Sequence, residues 1–78
     1  MFEKEFDFFI THQNELVEKY DGRFLILRGE TVEGDYPTMF SAYEAGVESF
    51  GLGNFMLQHC IAGPEAYTVT IVTPGMVG

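Results

Sequence analysis

The chain has 78 residues, of which 46% are hydrophobic and 15% aromatic, and its net charge is −8. This length allows one domain, and the apolar content is sufficient for a hydrophobic core, which argues against a disordered chain. Nucleic acids and anionic membranes are bound largely through Lys and Arg, so the acidic charge argues against both partners. A single cysteine, Cys60, excludes an intrachain disulfide.

The N-terminal part predicts one amphipathic helix over about residues 2–20. Its apolar residues recur at helical spacings, and Gln13 occupies one position of the stripe; they are Phe2, Phe6, Phe9, Ile10, Leu16, Val17 and Tyr20. Thr11 could begin a second helical segment as an N-cap, but the unbroken stripe favours one helix. Gly22 suits the left-handed position that closes a helix.

The next segment predicts a buried strand, a tight turn and a polar edge strand. Residues 24–27 are apolar at every position, which is typical of a strand covered on both faces. Gly29 and Glu30 make the turn to residues 31–36. The acids and the glycine of this second strand suit the edge of a sheet.

The second half predicts a helix and two further strands. Pro37 is expected in the first helical turn and Gly51 at the helix end. The apolar stripe of this helix, expected to form its buried face, comprises Met39, Phe40, Tyr43, Val47 and Phe50. Residues 54–61 predict a third strand, 62–65 a turn, and 67–72 a strand that alternates apolar residues with threonine.

These elements give the order α-β-β-α-β-β in a single α+β domain covering residues 1–78, with a C-terminal strand and tail over residues 63–78. A right-handed crossover through the second helix carries strand three past strand one. The core sheet is therefore expected to run 2-1-3, with two amphipathic helices and the last strand at an edge.

A motif at the first helix–strand junction carries a family resemblance. Tyr20, Gly22, Arg23 and Phe24 form a Tyr-x-Gly-Lys/Arg-aromatic pattern, and the 29–30 turn, the 42–46 helix segment and residues 58–68 continue it. Over roughly residues 6–68 the chain resembles a family of small uncharacterised prokaryotic proteins, a domain of unknown function with helix–hairpin–helix–strand order. The resemblance implies that fold and a bacterial origin, and it implies no activity. Residues 69–72 depart from the polar-aromatic strand of similar bacterial members.

Side chains capable of chemistry are present but not in reactive patterns. His59 and Cys60 are adjacent, and on a strand they point to opposite faces, so a thiol–imidazole pair is not expected. Cys60 is expected to be buried, and His12 and His59 lack metal-ligand spacing. Glu44 and Glu48 are expected on a solvated helix face. The sequence therefore predicts no enzyme and no catalytic, cofactor or metal site.

The surplus of apolar strand and helix surface predicts instead a non-enzymatic protein-interaction module. The alternative is an acidic inhibitor or antitoxin that mimics a nucleic acid, because all four Lys and Arg lie in the first 28 residues and Glu30, Glu33 and Asp35 follow close together. Solubility is the simpler explanation of that charge. A small hydrolase or transferase is the third hypothesis.

The C-terminal strand predicts a homodimer interface. As an edge strand without Lys or internal Pro, it is expected to pair across a subunit boundary, with Tyr67, Val69 and Ile71 on its dry face. The alternative is a hairpin with strand three through Gly63 and Pro64. The chain starts without a signal-peptide pattern and has no apolar run of about 20 residues, so a cytoplasmic location is expected.

Overall fold

The computed structural model describes the backbone of residues 2–72 and the side chains of residues 2–66. The described chain forms two helices and an antiparallel sheet in the strand order β2-β1-β3-β4. The elements are α1 (Glu3–Tyr20), β1 (Phe24–Arg28), β2 (Thr31–Tyr36), α2 (Met39–Phe50), β3 (Met56–His59), a 3-10 helix (Pro64–Val69) and β4 (Thr70–Val72). The predicted α+β class and the core order 2-1-3 are confirmed.

The two helices cover opposite faces of the sheet, and β1 lies between them. Leu25 and Leu27 point towards α1, where they pack with Phe9 and Leu16. Ile26 points the other way and packs under α2. Because successive strand residues face opposite sides, an entirely apolar strand fits this central position. Leu25, Ile26 and Leu27 are each at most 1% exposed.

Helix α1 runs continuously in the chain but is kinked at its middle. His12 has non-helical φ and ψ angles of −109° and 16°, directly after Thr11. The next residue, Gln13, donates hydrogen bonds from Nε2 to the carbonyls of Ile61 at 2.9 Å and Gly63 at 3.1 Å. One helix therefore extends over nearly the whole predicted range, and its kink lies at His12, one residue after the N-cap position that the alternative assigned to Thr11.

The junction between α1 and β1 has the predicted glycine conformation. Gly22 has a φ of +83°, in the left-handed region that favours glycine. Its N–H donates to the Cys60 carbonyl at 2.8 Å, and the Cys60 N–H donates to the Arg23 carbonyl at 2.8 Å. The turn is thus joined to the end of β3.

Helix α2 begins at Met39, after the predicted Pro37, and only part of the predicted stripe faces the core: Tyr43, Val47 and Phe50 pack against the buried cluster beneath the helix. Thr38 is the N-cap and exchanges capping-box hydrogen bonds with Ser41, so Pro37 precedes the cap and is not in the first turn. The buried residues of the helix are Ala42 and Gly46. The expected burial of Met39 and Phe40 is wrong, because the small residues of the neighbouring stripe let the helix lie close to the sheet.

The segment after β3 differs from its predicted form. Residues Pro64–Val69 form a 3-10 helix, so the last strand begins at Thr70 and not at Tyr67. Ala66 is fully buried, and its carbonyl accepts a 2.6 Å hydrogen bond from Gln58 Nε2. These contacts hold the backbone in a turn where local alternation favours an extended strand.

Candidate interaction surface

The outer side of α2 carries large apolar side chains in solvent. Phe40 is 70% exposed and Met39 is 41% exposed. Beside Phe40 a shallow groove of about 540 Å³ runs along the helix, lined by Phe40, Ser41, Tyr43, Glu44, Ala45, Val47 and Glu48. We call Phe40, Tyr43, Glu44, Val47 and Glu48 the α2 surface.

The local sequence explains why this surface is apolar. Ala42 and Gly46 are one helical turn apart and form the inner face. A Cβ on Gly46 would overlap the Phe55 ring, so the helix backbone lies directly against that buried side chain. Tyr43 contacts the edge of the same cluster, with its ring centroid 6.5 Å from that of Phe55. Of the larger stripe, Tyr43, Val47 and Phe50 therefore pack at the flank of this cluster, and Met39 and Phe40 are left on the outside.

The charges on the α2 surface are both negative. Glu44 and Glu48 are exposed and lie one turn apart, and the last turn of α2 contains no basic residue. Arg28 lies at the far end of the helix, where its guanidinium carbon is 4.5 Å from the Phe50 ring centroid. Its Nε also donates to the Asn54 carbonyl at 3.1 Å. The surface thus combines an apolar stripe with two carboxylates.

The structure separates His59 from Cys60, as the strand geometry predicts. The His59 ring stacks on Phe24 with centroids 4.2 Å apart and planes inclined by 5°. Cys60 is buried in the cluster on the α1 side. Burial raises the pKa of the Cys60 thiol to about 11, and the nearby negative charge of Asp21 adds to the effect. The thiol is therefore protonated at neutral pH and is a poor nucleophile.

The remaining candidates lie apart from one another. His12 Nδ1 is 3.0 Å from Glu15 Oε1 on α1, on the opposite side of the sheet from His59. Among the described residues, no three His, Cys, Asp or Glu side chains are grouped as metal ligands. Asp35 accepts a 3.0 Å hydrogen bond from Arg23 Nε, which partly neutralises the acidic group of Glu30, Glu33 and Asp35.

The predicted interface residues fall on two kinds of backbone. Tyr67 and Val69 belong to the 3-10 helix, whereas Ile71 is on β4 and is paired with Leu57 of β3. The three do not share one strand, and their side chains lie outside the described residues. The in-chain pairing of β4 with β3 corresponds to the hairpin alternative.

Sequence reasoning missed Phe40 as an exposed residue, although a signal was available. An Ala and a Gly four positions apart on a helix often mark a close approach of the backbone to a neighbour. Here that pair identifies the buried face, and it leaves Phe40 outside.

Comparison with known proteins gives no match to a family model, a curated protein or a solved structure. The resemblance carried by residues 6–68 therefore stays a prediction. Within residues 2–72, neither helix has the combination of length and apolar character that a bilayer-spanning helix requires.

Proposed function

We propose that this domain acts by binding another protein through the α2 surface, and that it does so without catalysing a reaction. The observation that carries the proposal is the exposure of Phe40, a residue that is 70% exposed beside Met39 at 41%. Burying a phenylalanine is worth about 1.5–3 kcal/mol, so an exposed Phe that lines a shallow groove favours a partner that covers it.

The helix presents these side chains on a fixed backbone. Thr38 and Ser41 cap its start, and at its end the Gly51 N–H donates to the carbonyls of Gly46 and Val47. Gly46 against Phe55 fixes the distance of the helix from the sheet. A surface held in this way loses little conformational entropy on binding, which supports a docking role.

Site-specific photo-crosslinking tests the proposal. Phe40 is replaced by a benzophenone-bearing phenylalanine in the cells that naturally make the protein, and the exposed Glu18 on α1 receives the same analogue as a control. We expect a reproducible protein adduct from position 40 that position 18 does not give. No adduct at position 40, or the same adducts at both positions, would contradict the proposal.

The homodimer and the cytoplasmic location belong to the same proposal. Strand β4 is last in the sheet order and pairs with β3 on one side, and an edge strand is a common site of strand addition. Lysine on an edge strand opposes such pairing, so Thr70→Lys is expected to convert a dimer to a monomer in light scattering. A monomeric wild-type chain at high micromolar concentration would exclude the dimer.

The alternative of a nucleic-acid mimic gives a different dependence on salt. Binding through exposed carboxylates weakens steeply as salt rises, because such charges are screened beyond a Debye length of about 8 Å at physiological ionic strength. The Arg23–Asp35 pair reduces the charge of the acidic group that motivates this alternative. The mimic would be favoured if moderate salt abolishes binding of the partner and replacement of Phe40 leaves that binding unchanged.

A further inference from the structure

The α2 surface has the dimensions of a short helix-docking site. Residues 40 to 48 cover roughly 12 Å along the helix axis at about 1.5 Å per residue. The lining of the groove extends along this axis, with Phe40 towards one end and Val47 towards the other. Helices pack by placing the side-chain ridges of one into such grooves of the other.

An extended peptide fits this surface less well than a helix. Strand addition derives its affinity from unpaired backbone N–H and C=O groups at a sheet edge, whereas those groups in the interior of α2 are hydrogen-bonded to one another within the helix. The surface therefore offers side-chain contacts, and a partner helix satisfies its own backbone hydrogen bonds while making them.

The two carboxylates of the α2 surface indicate the charge of the partner. Glu44 and Glu48 border the apolar stripe on the same side of the groove and are both exposed. A partner with Lys or Arg one helical turn apart would place a cation opposite each carboxylate. Opposite charges across an interface raise the association rate and exclude partners of the wrong sign.

A second copy of this chain does not supply those cations. Around a two-fold axis the α2 surfaces would bring four carboxylates together, two from each copy. The whole chain carries 12 acids against four bases, so its other surfaces are also poor in cations. The electrostatics thus favour a different protein at this surface.

We propose that the α2 surface binds a cationic amphipathic helix, with an apolar stripe against Phe40, Tyr43 and Val47 and basic residues facing Glu44 and Glu48. This inference rests on the proposed function and adds the chemistry of the partner. It also separates this surface from the β4 edge, where a second copy would pair.

The test uses a helical peptide of about 18 residues, long enough to form a helix, with leucines at positions i, i+3, i+4 and i+7 and lysines elsewhere. Two controls have the same length: one replaces every lysine with glutamate, and one scrambles the leucines to remove the apolar stripe. Binding to the full chain is measured by fluorescence anisotropy at low and physiological salt. We expect the first peptide alone to bind.

Three variants locate the binding. Phe40→Ser is expected to weaken it about thirtyfold, as loss of a central aromatic contact does. The double variant Glu44→Gln/Glu48→Gln is expected to weaken it about fivefold, in line with exposed charge pairs. The matched control Asp7→Asn/Glu18→Gln changes the net charge of −8 by the same two units at exposed positions of α1, and it is expected to leave affinity within about twofold. Circular dichroism melts verify that all three variants fold.

Several results would overturn the inference. The inference is wrong if the glutamate peptide binds as tightly as the lysine peptide, or if the two charge variants lose the same affinity. It is also wrong if Phe40→Ser binds the lysine peptide with wild-type affinity. A change of oligomeric state caused by Phe40→Ser would identify a second copy as the occupant. The photo-crosslinking experiment distinguishes a failure of the cationic-helix inference from a failure of the proposed protein-binding function. An adduct at position 40 whose crosslinked segment is neutral or acidic would refute the cationic partner and leave protein binding intact.

Discussion

Replacing Gly46 with alanine should destabilise the protein, although the same change in a helix usually stabilises it. On propensity alone, alanine is better than glycine by about 1 kcal/mol in a helix interior. Here the new Cβ would meet three atoms of the Phe55 ring, all closer than van der Waals contact allows. Phe55 is completely buried, so its ring cannot swing into solvent.

The packing cost therefore decides whether Gly46→Ala raises or lowers the free energy of unfolding. Extra methyl groups in a packed core cost about 1–3 kcal/mol, and the overlap with an aromatic ring places this substitution near the upper end. Subtracting the helix-propensity gain leaves a net loss of about 1–2 kcal/mol. For a domain of this size, each kcal/mol lowers Tm by about 4–8 °C.

Thermal and urea melts followed by circular dichroism measure the effect. Ser49→Ala, exposed on the same helix, is the control, and it should raise the unfolding free energy by a few tenths of a kcal/mol, since only propensity changes. Phe55→Leu makes room for the methyl group, so Gly46→Ala should cost less in that background. A Gly46→Ala variant that melts at or above the wild-type temperature would refute the close approach of α2 to the sheet.

Three other predictions follow from the core and the turns. Ile26→Asp should abolish cooperative unfolding, because Ile26 is 1% exposed and a buried unpaired charge costs several kcal/mol; a normal melt would contradict the position of β1. Gly22→Val should cost about 1–2 kcal/mol through backbone strain alone, since an added Cβ meets nothing within 4 Å; wild-type stability would show that the turn adopts another conformation. Stability should fall between pH 9.0 and about 11, because the unfolded Cys60 thiol loses its proton before the folded one does. Cys60→Ala should remove that part of the decline, and identical pH profiles would rule out this cause.

The sequence was sufficient where the pattern was local and strong. The apolar run of β1 predicted a central strand covered on both faces, and the structure places α1 on one face and α2 on the other. Gly22 was predicted from the sharp change between helical and strand patterns, and its φ of +83° confirms it. Both features depend on a few adjacent residues and on elementary backbone sterics.

The misreading of α2 has a different physical origin. Hydrophobic periodicity weights residues by size, so the stripe containing Phe40 outweighs the one formed by Ala42 and Gly46. The inner face was determined by how closely the backbone approaches Phe55, and that depends on tertiary packing. For the same reason the stripe alone did not indicate that Met39 and Phe40 are exposed.

The start of β4 was also set by distant contacts. Alternation over residues 67–72 predicts an extended strand, and it contains no information on the Gln58–Ala66 hydrogen bond. Buried Ala66 belongs to the cluster beneath α1, so the segment turns before it pairs with β3. Tertiary contacts outweighed local propensity here.

The Gln13 side chain, which bonds the carbonyls of Ile61 and Gly63, has a consequence for synthesis of the protein on the ribosome. Its partners lie 48 and 50 residues further along the chain. Strand β1 also depends on a later segment, because its second neighbouring strand is β3. Contacts of such separation close only when the late segments have emerged. We therefore expect the nascent chain to expose its central strand until the last third is released, and to need protection from aggregation during that interval.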